Sequence, residues 1–577
     1  MRAHQYLAPA VALLLAGSLA ACSDDAAPAS AGDVPAVDRS EVREGGTLRW
    51  AVDAVPATLN VFQPGATEDS GLVARAVLPT LFRLDAGARA VPDPDYLASA
   101  ESTPPGQNPQ TVTYRLNPRA AWSDGTPIGA ADFTAQWKAL AGADPAYVAD
   151  LPAGYGAIES VAQGSDPREV RVVFKQPYAS WKGLFSPLYP AAATATPEAF
   201  NRPLTAVPSA GPFTLQAADA AAGRATVVRN PKWWGAAAKA EQIDFLAVPA
   251  ADRLDALDQG KLDVAALTDA IDRATPPGTA RTAPPPDAAA VAQASAQALK
   301  RAEALPGLTL HRAAAAGFTQ LTLNSARGPL ADQTVRRAVV RAVDRGQVAD
   351  AALSPLGVRA VPLGNHLLMN GQVGYRDNSA AAGSEPAAQL LDQAGWKSGG
   401  ASVRSKDGKD LVLTLLLPDG SATARRTADT LAAELSGAGI TVRPQPVAPD
   451  VFVKDHLATG DFDLALFSWP ATGYPAADER ALYTKPRPGP DGHPVAGLNY
   501  AGTGSAELDQ LLARAAAELD PAVQRTLLQE ADARIWQLAH SVPLYQRPDL
   551  VAVRSTVAGA GAYGFSTPRY QDVGFKK

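Results

Sequence analysis

The side chains that most often carry chemistry are few in this sequence, and badly spaced for it. Six histidines, at His4, His311, His366, His456, His493 and His540, are scattered along the chain. None forms a ligand-spaced pair of the kind that grips a metal ion. No Gly-x-Ser-x-Gly elbow offers an activated serine, and neither a His-Glu-x-x-His helix nor a phosphate loop is present. Gly559-Ala560-Gly561-Ala562-Tyr563-Gly564 matches the dinucleotide fingerprint letter for letter. Pro568 follows closely and no helix or distal acid comes after it, so the stretch reads as a loop. No catalysis, cofactor or metal is expected. One residue does invite covalent chemistry: Cys22, the single cysteine of the chain.

Met1 and Arg2 open a short cationic stretch, and Leu7 to Ala20 form an apolar run. At about 14 residues it suits the core of a signal peptide and is short for a bilayer span. The run ends in Leu19-Ala20-Ala21-Cys22, which resembles a bacterial lipobox. That likeness implies removal of residues 1–21 and a diacylglycerol on the Cys22 thiol. Several buried acyl chains hold a protein firmly where one holds it marginally. Residues 22–44, rich in Ala, Asp, Pro and Ser, would be a flexible tether. With no cysteine besides Cys22, internal disulfides are excluded. The expected location is the extracytoplasmic face of the cell membrane.

The body is that of a globular protein, 46% hydrophobic and 19% charged over 577 residues. That length exceeds what one hydrophobic core supports, so two or three lobes are expected. Net charge of −6 gives no basic face for nucleic acid. Alternation and β-branched residues predict strands at Thr47–Ala51, Thr111–Leu116, Val170–Phe174, Ala225–Arg229 and Ile243–Val248. Leu411–Leu417 and Asp463–Phe467 read as strands buried on both faces. Helices are predicted early in residues 71–85, after the N-cap Asp332, over Thr427–Leu435, Leu508–Leu519 and Pro521–Leu538. The arginines at 336, 337 and 341 read as a solvated face or ion pairs rather than a ligand clamp. Residues 272–306 read as an exposed insertion or linker, Pro-rich at first and helical from Ala288 to Leu305. The class is α/β.

Six segments in order resemble one family. They are Trp122-Ser123-Asp124-Gly125-Thr126-Pro127; Gly211-Pro212-Phe213 with Asn230-Pro231-Lys232-Trp233-Trp234; and Gly260-Lys261-Leu262-Asp263. After them come Pro329-Leu330-Ala331-Asp332 with Val335-Arg336-Arg337-Ala338; Leu390-Leu391-Asp392-Gln393-Ala394-Gly395-Trp396; and Gly460-Asp461-Phe462-Asp463-Leu464. Pro543-Leu544-Tyr545 resembles the closing strand. Together they are similar to the extracytoplasmic solute-binding proteins of the peptide/nickel class of ABC transporters. The resemblance implies a two-lobed clamshell of the large type II kind with an extra inserted domain. Lobe I would be residues 45–78, 206–317 and 531–577, the insertion 79–205, and lobe II 318–530. It implies a monomer that closes on an oligopeptide-like or other small organic ligand and delivers it to an importer's permease and ATPase subunits.

Ser-Asp-Gly-Thr-Pro is dense turn chemistry, so Trp122 reads as packing beneath a turn; Trp233 and Trp234 read as core. The informative stretch is Phe467 to Tyr474. In peptide-binding relatives a carboxylate shortly beyond the matching tryptophan meets the peptide amine, because a buried ammonium needs a counter-ion. Here no acid follows Trp469 before Asp478. Ser468, Trp469 and Tyr474 are ligand-contact candidates, with Asn499 and Tyr500 as further contacts. In relatives the loop after the first strand also borders the ligand, which points to Glu68 and Asp69 for the missing negative charge. The alternative is a regulatory or glycolipid-handling envelope lipoprotein of the same fold, as some relatives linked to mannolipid synthesis are.

Overall fold

In the computed structural model, residues 32–150, 152–274, 288–398, 402–488, 494–495 and 497–577 are described. The leader, Cys22 and the Pro-rich part of 272–306 lie outside them. Ten strands form one long mixed sheet. At one end, Thr47–Val52 is flanked in parallel by Gln242–Ala247 and Val264–Ala266. At the other end, Val412–Pro418 lies parallel to Thr441–Val447 and Leu464–Pro470. The middle is made by Leu308–Leu323 and Ser541–Arg554, antiparallel partners that run through both ends.

Their register shifts between Thr319 and Gln320 and, more widely, in a telling place. Ala314 faces Pro548, yet the next pair is Phe318 with Gln546, so three residues oppose Arg547 alone. On either side of that break the sheet is clothed by separate cores. Leu48, Phe213, Ile243 and Val553 belong to one cluster; Leu321, Val339, Leu415, Trp536 and Tyr545 belong to another. Two lobes of an α/β clamshell result. Because Trp536, Val542 and Leu544 pack with the second core, the chain returns to the first lobe at Arg547, later than the expected 531.

A separate four-stranded sheet, Leu97–Ser102, Thr111–Leu116, Glu169–Phe174 and Ile158–Gln163, lies within the predicted insertion. Its Val112, Tyr114, Val170 and Val172 share a hydrophobic cluster with the first lobe. Trp122 is buried under its turn and donates its indole N–H to Asp132 at 3.3 Å, while Gly125 takes φ +97°. Asp124 accepts from the Thr126 amide at 2.8 Å and closes the turn.

Four expectations are corrected. Trp233 and Trp234 are half-buried, packed on Tyr96 rather than inside the core. Arg336 is buried, because the ends of neighbouring segments leave carbonyls for it: it donates to Leu330, Ala331, Leu538 and Ala539. The helix Ala288–Ala304 is not a bare linker, since Leu299 and Ala302 pack into a third cluster with Leu257 and Leu550. The late part of the tether is docked. Val42–Arg43 adds a strand to Gly574–Lys576, and Asp33 exchanges backbone hydrogen bonds with Ala562.

Candidate functional site

Strand Leu464–Pro470 carries two of the site's aromatic side chains, Phe467 and Trp469. Leu464, Ala465 and Leu466 are all buried, then exposure alternates from Phe467 to Pro470 as the strand leaves the core and enters the gap between the lobes. Side chains on a strand point alternately to its two faces. Phe467 and Trp469 therefore share one face, and Ser468 takes the other. Trp469 stacks on Tyr500 with centroids 5.6 Å apart and planes 12° from parallel; Phe467 meets Trp469 edge-on at 5.3 Å. Both stacked rings are half-buried.

On the opposite face Ser468 Oγ lies 2.9 Å from Thr319 Oγ1. They floor a cavity of about 250 Å³ that reaches from one lobe to the other. Asp269, Asp272 and Arg273 come from the first lobe, Ser421 and Thr423 from the second, and Arg547 from the crossing strand. Asp272 does more than line it. Its carboxylate accepts from Ser421 Oγ–H at 2.5 Å and from the Thr423 amide at 2.7 Å. Ser421 is the N-cap of helix Ala422–Gly437, so an acid of one lobe satisfies a free amide at a helix start in the other. Arg273 donates to the Asp419 carbonyl at 3.0 Å beside it. Both signs of charge and several hydroxyls thus face one space.

The candidates named from sequence divide here. Ser468 lines this cavity. Glu68, exposed at the start of helix Glu68–Val77, is near enough to Asp549 to raise its pKa. Burial pushes Asp549 up to about 6, against the opposing charge of Arg547. Asp69 faces away: it accepts the Asp53 and Ala54 amides, each at 3.0 Å, and ties its own loop. Asn499 is buried with its amide fully used. It donates to the Thr484 and Thr503 carbonyls and accepts from Gly502 and His540. That makes it a loop fastener rather than a contact. Tyr474 packs on the inserted domain, where a Cβ on Gly183 would fall 2.9 Å from its ring. Asp478, the first acid after Trp469, accepts from Thr472 Oγ1 at 2.7 Å, and burial raises its pKa.

Asp269, Asp272, Arg273 and Arg547 were missed. Asp272 stood at the edge of a stretch that reads as linker, and its partners are about 150 residues away, which no local pattern reveals. Arg547 had one signal, its position just after Pro543-Leu544-Tyr545. Among the described residues no three His, Cys, Asp or Glu side chains cluster to hold a metal. No described helix is long and apolar enough to cross a membrane.

Comparison with known proteins adds to this geometry. Residues 96–488 match the bacterial extracellular solute-binding proteins, family 5 middle region. The chain is 35% identical over 561 residues to the oligopeptide-binding protein OppA of Mycobacterium tuberculosis, covering 96% of this chain and 88% of that one. It is 26% identical over 437 residues to the probable monoacyl phosphatidylinositol tetramannoside-binding protein LpqW of the same organism, covering 70% and 64%. Among solved structures it resembles the periplasmic EDTA-binding protein EppA, with a TM-score of 0.78 at 24% identity over 95% of this chain and 98% of that one.

Proposed function

This chain belongs to the bacterial extracellular solute-binding proteins of family 5, and on that premise we propose that it captures a short oligopeptide-like ligand for an ABC importer. The observation that carries the reading is the cavity between the lobes, with two acids and Arg273 on the first-lobe wall, hydroxyls on the facing wall and the crossing strands, with Arg547, as its floor. A peptide zwitterion presents both charges, and a desolvated charge without a partner is costly. Arg547 is suited to the carboxylate and Asp269 to the amine, in place of the acid that is lacking directly after Trp469. The 35% identity to OppA across nearly the whole chain supports the class of ligand. Closure is by bending at residues 314–318 and 546–548, where strand pairing lapses. The closed form is what the permease would receive.

The test is native mass spectrometry of the full chain incubated with a mixed di- to pentapeptide pool, followed by titration of the retained species. Retention of defined peptides, weakened by Arg547→Gln, is expected; a pool that passes unretained refutes the reading. We place the protein outside the cell as a monomer held by lipid on Cys22. Cys22→Ser then releases it from the detergent phase, and a variant that still partitions there refutes the anchor. A second reading, glycolipid handling without transport, is favoured by the Trp469–Tyr500 stack, which suits a sugar face, and by the likeness to LpqW. Retention of mannolipid instead of peptide decides for it.

A further inference from the structure

A second cavity, of about 400 Å³, lies between the lobes and shares no lining residue with the first. One wall is the turn at Gly87–Ala90 and the segment Ala179–Lys182, both on the side of the inserted domain. The facing wall is Gly473–Ala476 with the start of helix Pro521–Leu538, from the second lobe. Contacts around it seal the two sides together. The Ala179 amide donates to the Ala516 carbonyl at 2.9 Å, and Tyr474 packs on Gly183.

Its charge is one-sided. Arg89, Lys182 and Arg525 line it, and no acid does. Arg89 is neutralised by Asp85 at 2.8 Å and is largely exposed. The other two differ. Among the described residues neither Lys182 nor Arg525 has an ion pair, and both are half-buried. Each is held in place by packing. Lys182 Nζ lies 5.6 Å from the centre of the Trp181 ring. The Arg525 stem crosses Gly374, where an added Cβ would fall 2.5 Å from Cδ. Closing the lobes therefore brings two cations from opposite bodies to the lining of one cavity. Like charges so gathered oppose closure, and an anion between them reverses the sign of that effect. Leu368, Val373 and Leu528 supply an apolar surface beside them.

From this we infer that the second cavity binds a compact organic anion carrying more than one carboxylate or phosphate, and that its occupancy stabilises the closed lobes. The guanidinium of Arg525 offers a planar fork and Lys182 a point charge, a combination that takes either oxyanion. Since the ligand touches both bodies, it binds the closed form better and shifts the equilibrium by that difference.

The test is calorimetric titration of the full chain with two probes, citrate for carboxylates and inorganic pyrophosphate for phosphates. One of them is expected to bind with unit stoichiometry, to weaken as salt rises, and to reduce the radius of gyration in solution scattering. Lys182→Gln and Arg525→Gln are each expected to weaken it about tenfold or more, while Lys182→Arg and Arg525→Lys retain most of the affinity. Arg119→Gln, an exposed arginine elsewhere, controls for net charge. The preferred probe decides between the two anion classes. Absence of binding by both at millimolar concentration overturns the inference, as does binding that ignores Lys182→Gln and Arg525→Gln. Peptide capture is read separately on the same variants, so a failure here is distinct from a failure of the first cavity.

Discussion

Replacing Asp272 with alanine removes a bond that exists only while the lobes touch. The carboxylate takes one hydroxyl hydrogen bond at 2.5 Å and one amide hydrogen bond at 2.7 Å, both from the start of helix Ala422–Gly437. Loss of a capping oxygen costs about 0.5–2 kcal/mol, and a negative charge at a helix start contributes about 0.3–1 kcal/mol. Opening the lobes returns both partners to water, which recovers part of each. A net shift of roughly 1–2 kcal/mol remains, or about 5- to 30-fold in the ratio of closed to open molecules. Fluorescence energy transfer between a dye on each lobe reads that ratio directly. Thermal unfolding of the same variant should change little, because the bond lies between two cores and not within either. Asp272→Asn, which keeps an acceptor for the Thr423 amide, should fall between wild type and alanine. A ratio unchanged within twofold would refute the reasoning. So would a drop in melting temperature that accounts for the whole effect.

Three further outcomes follow from the same geometry. On the glycolipid reading, Trp469→Ala should weaken mannolipid retention roughly tenfold through loss of the ring stacked on Tyr500, read by titration; equal retention would place the sugar elsewhere. Gly183→Ala puts a methyl group 2.9 Å from the Tyr474 ring, so the energy-transfer ratio should move toward open while the fold persists; an unmoved ratio would mean that the ring yields. Asp549 has a folded pKa raised from 3.8 to about 6, so the native state holds its proton longer than the unfolded chain. Its contribution to stability therefore falls as pH rises from about 4 to about 6. Asp549→Asn should accordingly raise the urea midpoint at pH 7 and leave it unchanged at pH 4, and equal changes at both would contradict the burial argument.

How far sequence could reach is clearest in particular elements. The helix Pro521–Leu538 was bounded correctly because its signals are local: Asp520 caps it and Pro521 occupies its first turn. Thr111–Leu116 was legible from alternation alone. Leu464–Pro470 was cut short at Phe467, since Ser468 and Pro470 look like a strand's end when the partner Leu308–Leu323 is unknown. Arg336 was misplaced for a related reason. Its apolar neighbours set the helix face, but the carbonyls that satisfy it belong to segments up to two hundred residues away. The cavities are hidden more deeply. Their walls are brought together by tertiary packing, and Lys182 and Arg525, far apart in sequence, line one cavity. Family likeness located the aromatic strand and left the charged lining unseen.

The chain passes between its lobes on two adjacent strands and nowhere else among the described residues. Neighbouring strands lie only about 5 Å apart, so the bridge is a narrow ribbon, easy to twist and stiff against stretching. Sliding or drifting apart is disfavoured, and rotation is the one cheap excursion left. A docking partner that rests on both lobes at once would then need no contact with the cargo. It would sense one angle, and that angle would report whether the gap is filled.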